Sequence, residues 1–359
     1  GDFAGFIVNW LFFFGWCVFS DAALLNLIAD SLALIFPVFS HPWLRALLFF
    51  VLLGFMVLLN IRGAKPGVNF IKMVTIIKLL PLFAIIIFGF TYIKPANLSW
   101  EQIPSLKTFG NTALVLFFAF SGFESALSIS GEIKNSKRTV PLGILLAGLL
   151  ILILYLLLQT VIQGVLGSQM PSFKDAPLAE IAKKIVGPVG ATILILTAAF
   201  SCFTNVCGDI LATPRVLFAG AKDGLFPKFL GKVHPKYATP YWAIISFAAM
   251  IFFLSIAGGF KQLAILASAA ILIIYLSVIL ATIKLRMKKQ DSEEKTFKVP
   301  GGLVIPLIGI AAIIWLLTNL SNWEILSTVI FIATICFFYF VRKYFKTKKP
   351  VITPSETIS

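Results

Sequence analysis

The sequence predicts an all-α, polytopic membrane protein with ten transmembrane helices, and three observations predict it. Of 359 residues, 59% are hydrophobic, 36 are Phe and only 13% are charged, whereas a soluble globular domain carries about 25% charged residues. Apolar stretches recur along the whole chain, each near the roughly 20 residues a helix needs to cross a bilayer core. The basic residues are unevenly shared between alternate gaps. The first observation excludes a soluble enzyme, a nucleic-acid binder and a disordered scaffold, because a soluble fold could not hide this much apolar surface.

The elements follow in order. Residues 3–36 hold no Gly-Pro or Asn-Gly turn signal and read as one helix, long enough to tilt strongly or overrun the membrane. Spans at 43–61, 69–92, 109–131, 141–166 and 188–219 come next, and spans at 241–257, 262–286, 303–320 and 324–342 complete the set. The transmembrane domain is therefore expected over 1–344, with 345–359 a short, polar, disordered cytoplasmic tail. With the chain starting on the cytoplasmic side, 22 of its 30 Lys and Arg fall in cytoplasmic gaps or ends and seven on the other side. Basic loops stay inside, so both ends are expected to be cytoplasmic and the protein to lie in the cell's inner (plasma) membrane. The net charge of +15 is mostly this topology signal. The chain opens at Gly1 almost inside a helix, with neither an initiator Met nor a signal peptide, which is read as sequence missing on the N-terminal side.

Cofactor chemistry finds little foothold. Cys17, Cys202, Cys207 and Cys336 fall within spans without C-x-x-C spacing, and His41 and His234 lie in loops far from them, so neither a metal nor a disulfide framework is expected. No G-x-x-x-x-G-K-[ST] is present, so uphill work would draw on an ion gradient or on exchange.

Charges at membrane depth are costly and need a reason. Asp21, Asp30, Lys78, Glu124 and Asp209 are such residues. Each alone reads equally as an interhelical tie; together they favour a polar interior pathway. Phe117 to Ser125 reads FFAFSGFES, a Ser-Gly pair among aromatics followed by a carboxylate. Gly weakens a helix and Ser competes for its backbone bonds, so Phe118, Ala119, Phe120, Ser121, Gly122, Phe123 and Glu124 form a candidate unwound segment. Freed N–H and C=O groups there could hold a small zwitterion; the alternative is a helix-packing notch. In the first span Phe12, Trp16, Ser20, Ala23 and Leu27 recur at helical spacing, as a cavity wall or a packing face. In the sixth, Phe200 to Asp209 is unusually polar. Its Thr204 and Asn205 are candidate coupling residues, or bridge neighbouring helices.

Several segments together resemble the amino acid–polyamine–organocation (APC) superfamily of permeases. They are FAFSGFESALSISGEIKNSKRTVP (118–141), TPRVLFAGAKDGLFPKFLGKVHPKYATP (213–240), FKVPGG (297–302) and IRGAKPGVNFIKMVTIIKLL (61–80). The resemblance implies twelve helices with two inverted five-helix repeats, of which this chain would supply helices 3–12, the first two being absent. It places Phe118–Glu124 on the family's unwound, amino-group-binding segment, with Phe118 as an aromatic gate. Gly15, Trp16, Ser20 and Ala23 fall on pocket-lining positions, Asp209 on a substrate-facing one, Tyr275 on a tyrosine gate, and Lys78 on a lysine that replaces sodium in proton-coupled members. The implied function is secondary active transport of an amino acid by alternating access, as proton symport or exchange, with no cofactor and with proton or sodium as possible co-substrate. The alternatives are a polyamine or cationic amino acid antiporter, a channel, or a non-transporting membrane subunit. An intramembrane enzyme is disfavoured, since both His lie in loops and G-x-S-x-G is missing.

Overall fold

The computed structural model describes residues 1–63, 68–99, 104–124, 133–224, 226–287 and 302–347. It is all-α, with no strand among the described residues. The helices are α1 (Asp2–Ala33), α2 (Pro42–Ile61), α3 (Val68–Gly89), α4 (Leu106–Phe120), α5 (Ser136–Leu166) and α6 (Pro177–Val186). They continue as α7 (Pro188–Lys222), α8 (Tyr241–Ala257), α9 (Phe260–Met287), α10 (Val304–Leu317) and α11 (Asn322–Thr347). Seven described helical segments are long and apolar enough to cross a membrane, and three shorter apolar helices, α4, α8 and α10, accompany them.

The first span is one continuous helix, as its lack of a turn signal suggests, but it is not uniformly α. Leu11–Val18 is π-helical, between α-helical Asp2–Trp10 and Phe19–Ala33. A fully apolar run gives no hint of this, because i→i+5 closure changes the phase of side chains without changing their character. The span expected at 109–131 leaves the helix after Phe120. α11 runs to Thr347, into the stretch expected to be tail, and residues 348–359 lie outside the described ones. The unexpected α6 begins with Pro at its first position and ends at Gly187, φ +77°, where glycine is the residue that fits.

α1 is the centre of the bundle. Of its most apolar 18-residue window 72% is buried, against 6% for α11, whose face is left for lipid. It packs on α7, α8 and α9. Their shared core includes Leu11, Phe13, Leu25, Ile210, Phe247 and Ile271, and α2 joins it through Phe49. A second core joins α3, α5, α6 and the start of α7 through Ile85, Leu158, Val161, Ile181 and Leu194. A third, smaller one joins α4, α9 and α10 through Leu114, Leu272 and Ile313.

One end of α1 is fastened by a polar knot. Buried Asn26 donates to Ala22 O and Ser255 O, both at 3.0 Å, linking α1 to α8. Arg45 of α2 donates to Asn26 Oδ1 and to Asp30 Oδ1, each at 2.6 Å. Asp30, grouped by sequence with the interior charges, is instead an exposed residue paired at the helix end. Asn26→Ala takes the side-chain donor from the Ser255 carbonyl and leaves Arg45 Nη2 with only the main-chain carbonyl of residue 26, so we expect a loss of about 1–3 kcal/mol. Detergent thermal unfolding should show a clear fall in melting temperature; an unchanged midpoint would count against the knot.

Candidate functional site

The site forms where α4 stops. Ser121 leaves helical geometry at φ −80°, ψ 164°, and Gly122 follows at φ +109°, a conformation that only glycine adopts without strain. Backbone groups at membrane depth must be satisfied by protein, and the local sequence supplies the partners. The Ser121 hydroxyl donates to Phe117 O at 2.9 Å, and the Tyr155 hydroxyl of α5 donates to Ala119 O at 3.2 Å. The Glu124 carboxylate turns back, its Oε2 accepting from Gly122 N–H at 3.1 Å and from the Tyr275 hydroxyl of α9 at 2.8 Å. Glu124 Oε1 is buried and has no donor among the described residues.

Aromatic rings frame this break. Phe118 meets Trp16 of α1 edge-on with centroids 5.9 Å apart, and Phe260 at 6.1 Å. Phe117 and Phe123 both pack on Tyr275, at 6.1 and 5.5 Å, and Phe120 packs on Tyr155 at 5.1 Å. The Phe118–Glu124 segment, Trp16 and Tyr275 are thus one cluster, although they come from three distant parts of the chain.

The other residues singled out by sequence scatter around it. Gly15 lines an apolar crevice on the side of α9 and α11: an added Cβ would lie 2.8 Å from Ala270 Cβ and 3.0 Å from Phe331. Gly15 thus faces α9 and α11, whereas its neighbour Trp16 faces Phe118 at the end of α4. Ser20 is buried, and Ala23 is fully buried in helix packing. On α7, Thr204 and Asn205 both donate to the carbonyl of Ser201, at 2.9 and 3.2 Å, and Asn205 is exposed. Half-buried Lys78 of α3 lies within electrostatic reach of Cys202 on α7, about two turns from Asp209.

Asp209 reaches residues that the periodic face omits. It stands beside Asp21 and Cys17 of α1, and Cys17 in turn meets Thr213 of α7. Asp21 is noticeable in sequence as a carboxylate at membrane depth, but the Trp16–Ser20–Ala23 spacing passes it by. The i, i+4 pair Cys17 and Asp21 is the signal that could have found this second face.

The comparisons fit this geometry. The family model for amino acid permeases matches residues 1–355, and the chain belongs to that family. It is 30% identical over 288 residues to the branched-chain amino acid permease BcaP of Bacillus subtilis (strain 168), covering 79% of this chain and 61% of that protein. It is 31% identical over 292 residues to the methylthioribose transporter of the same organism, with the same two coverages. Over 242 residues it is 29% identical to the vacuolar cationic amino acid transporter 4 of Arabidopsis thaliana, covering 64% of this chain and 39% of that protein. The chain thus spans about three fifths of the length of the first two relatives.

Tyr275→Phe removes one of the two donors to Glu124 Oε2. A hydrogen bond to a charged group is worth about 1.5–3 kcal/mol, so the variant should melt earlier in detergent while inserting normally. Unaltered melting would mean that the Tyr275 contact contributes nothing to holding the break.

Proposed function

We propose that the chain is the transporting part of a permease that moves amino acids across a cell membrane by alternating access, as proton symport or exchange. The observation that carries this is the interruption at Ser121–Gly122. An apolar helix ends inside a ring of aromatic side chains, next to a carboxylate with one buried oxygen that has no donor among the described residues. A break of this kind offers backbone donors and acceptors to a zwitterion at a depth where water is scarce. Membership of the amino acid permease family supports an amino acid as cargo. The three relatives carry names with three different cargoes.

In this reading Phe118–Glu124 bind the amino acid's charged end groups, with Trp16, Phe118 and Tyr275 closing over it. Gly15, Ser20, Ala23 and Asp209 belong to the helices against which the α4 segment moves. Lys78 on α3, with Thr204 and Asn205 on α7, serves coupling. Both chain ends face the cytoplasm, as the basic loops imply.

Radiolabelled amino-acid uptake into proteoliposomes tests the reading: saturable, stereoselective, gradient-dependent uptake is expected, and its absence for every amino acid and amine would remove it. Gly122→Leu places a side chain where φ is +109° and where open space surrounds the missing Cβ, so its cost is backbone strain rather than a clash. Strain of about 1–3 kcal/mol is expected, with binding lost by roughly ten-fold or more and membrane insertion retained. Normal binding by that variant would refute the role of the break. Lys78→Ala should make uptake insensitive to the proton gradient, and an unchanged pH profile would clear Lys78 of coupling.

A further inference from the structure

The contact between α1 and α7 holds a feature that amino-acid binding at the α4 break does not use. Asp21 is 0% exposed, and neither of its carboxylate oxygens has a hydrogen-bond donor among the described residues. The group within hydrogen-bonding reach is another carboxyl, that of Asp209. Two ionised carboxylates are both acceptors, and in contact at low dielectric they repel strongly. Two carboxyls in contact resolve this by holding one proton between them, which turns repulsion into a short hydrogen bond.

We propose that Asp21 and Asp209 are a proton-binding site in which a single proton, shared between the two carboxyls, joins α1 to α7. With that proton the pair carries one negative charge; losing it leaves two, and the contact becomes repulsive.

The surroundings favour a proton over other cations. An ammonium or guanidinium group needs volume, and Asp21 has no exposed surface to offer it. No three Asp, Glu, His or Cys side chains among the described residues converge closely enough to hold a metal ion. The neighbouring titratable groups add no positive charge. They are Cys17 on α1, Cys207 on α7, and Glu124, which stands within electrostatic reach of Asp209 and Cys17 and is bonded to Tyr275 of α9. Lys78 is within electrostatic reach of Cys202, about two turns along α7 from Asp209. Arg45 of α2 is engaged by Asp30 and Asn26. α8 contains no charged residue, and α9 carries its charges only near its ends, at Lys261, Lys284 and Arg286.

The presence of the proton stands on this geometry alone; its use in transport rests on the permease reading. Infrared spectra of the purified full chain in lipid and D₂O read it directly. The wild type should show a protonated-carboxyl C=O band that titrates away as pH rises. Asp21→Asn and Asp209→Asn should each lose it, because the amide supplies the donor and leaves the remaining Asp ionised. Asn is nearly isosteric, so both variants should fold. As a second measurement, the wild-type melting temperature should fall with rising pH, since the folded state binds the extra proton, and the fall should flatten in Asp21→Asn. A band unchanged in both variants, or no titrating band in the wild type, would overturn the proposal. So would displacement of the band by sodium chloride or by arginine at fixed pH, which would mark a cation site. Uptake is measured separately: a titrating band without any uptake would leave the proton site standing and remove the permease reading.

Discussion

A polar group at membrane depth has to find its partners in the protein rather than in lipid, and the helix that gathers more of the buried ones than any other described helix is α1. It is the most deeply enclosed of the apolar helices long enough to cross a membrane, with α7, α8 and α9 packed around it. Because it is wrapped by protein rather than lipid, it can carry Ser20, Asp21 and Asn26 at depth without exposing them to hydrocarbon. The same enclosure places Trp16 against the end of α4. Were α1 to face lipid on one side, the aromatic frame and the carboxyl contact with α7 would both lose a wall.

The two polar regions along α1 are built on opposite principles. At Asn26 every group is matched: amide to carbonyls, guanidinium to carboxylate and amide oxygen. Such a region is a fixed point, since moving any member strands another. Around Asp21 and Glu124, both oxygens of the first and Oε1 of the second are buried without a donor among the described residues. A region with too few donors is one whose energy changes when a proton or ligand arrives, which is what a moving part requires. The matched groups at Asn26 and the donor-poor carboxylate of Asp21 lie within two turns of each other on one helix.

How much of this was legible in sequence depends on distance along the chain. The break at Ser121–Gly122 is local, and a Ser-Gly pair inside an apolar run discloses it without any tertiary information. The seven long apolar helices are similarly legible, because length and hydropathy are properties of contiguous residues. Asp30 was misplaced because hydropathy does not reveal that Arg45 waits across a short turn. The Cys17–Asp21 spacing marks a second face of the first span, but its pairing with Asp209 of the sixth is not legible, because only packing of α1 on α7 brings the two together. α6 carried readable signals in Pro177 and Gly187, but its short length and Lys-bearing face resemble a loop.

The π-helical stretch Leu11–Val18 has a consequence for how this helix tolerates changes in length. A turn closed by i→i+5 bonds holds one residue more than a turn closed by i→i+4. Deleting a single residue between Leu11 and Val18 can therefore be absorbed by converting the stretch to ordinary α-helix. The flanks would keep their phase: Phe6 would still meet Tyr339 on one side, and Asp21 and Asn26 would still face α7 and α8 on the other. Only the side chains inside the stretch, Gly15 and Trp16 among them, would be re-aimed. The π turn is thus a place where an insertion or deletion could re-aim the residues facing the α4 break while leaving the rest of the bundle in register.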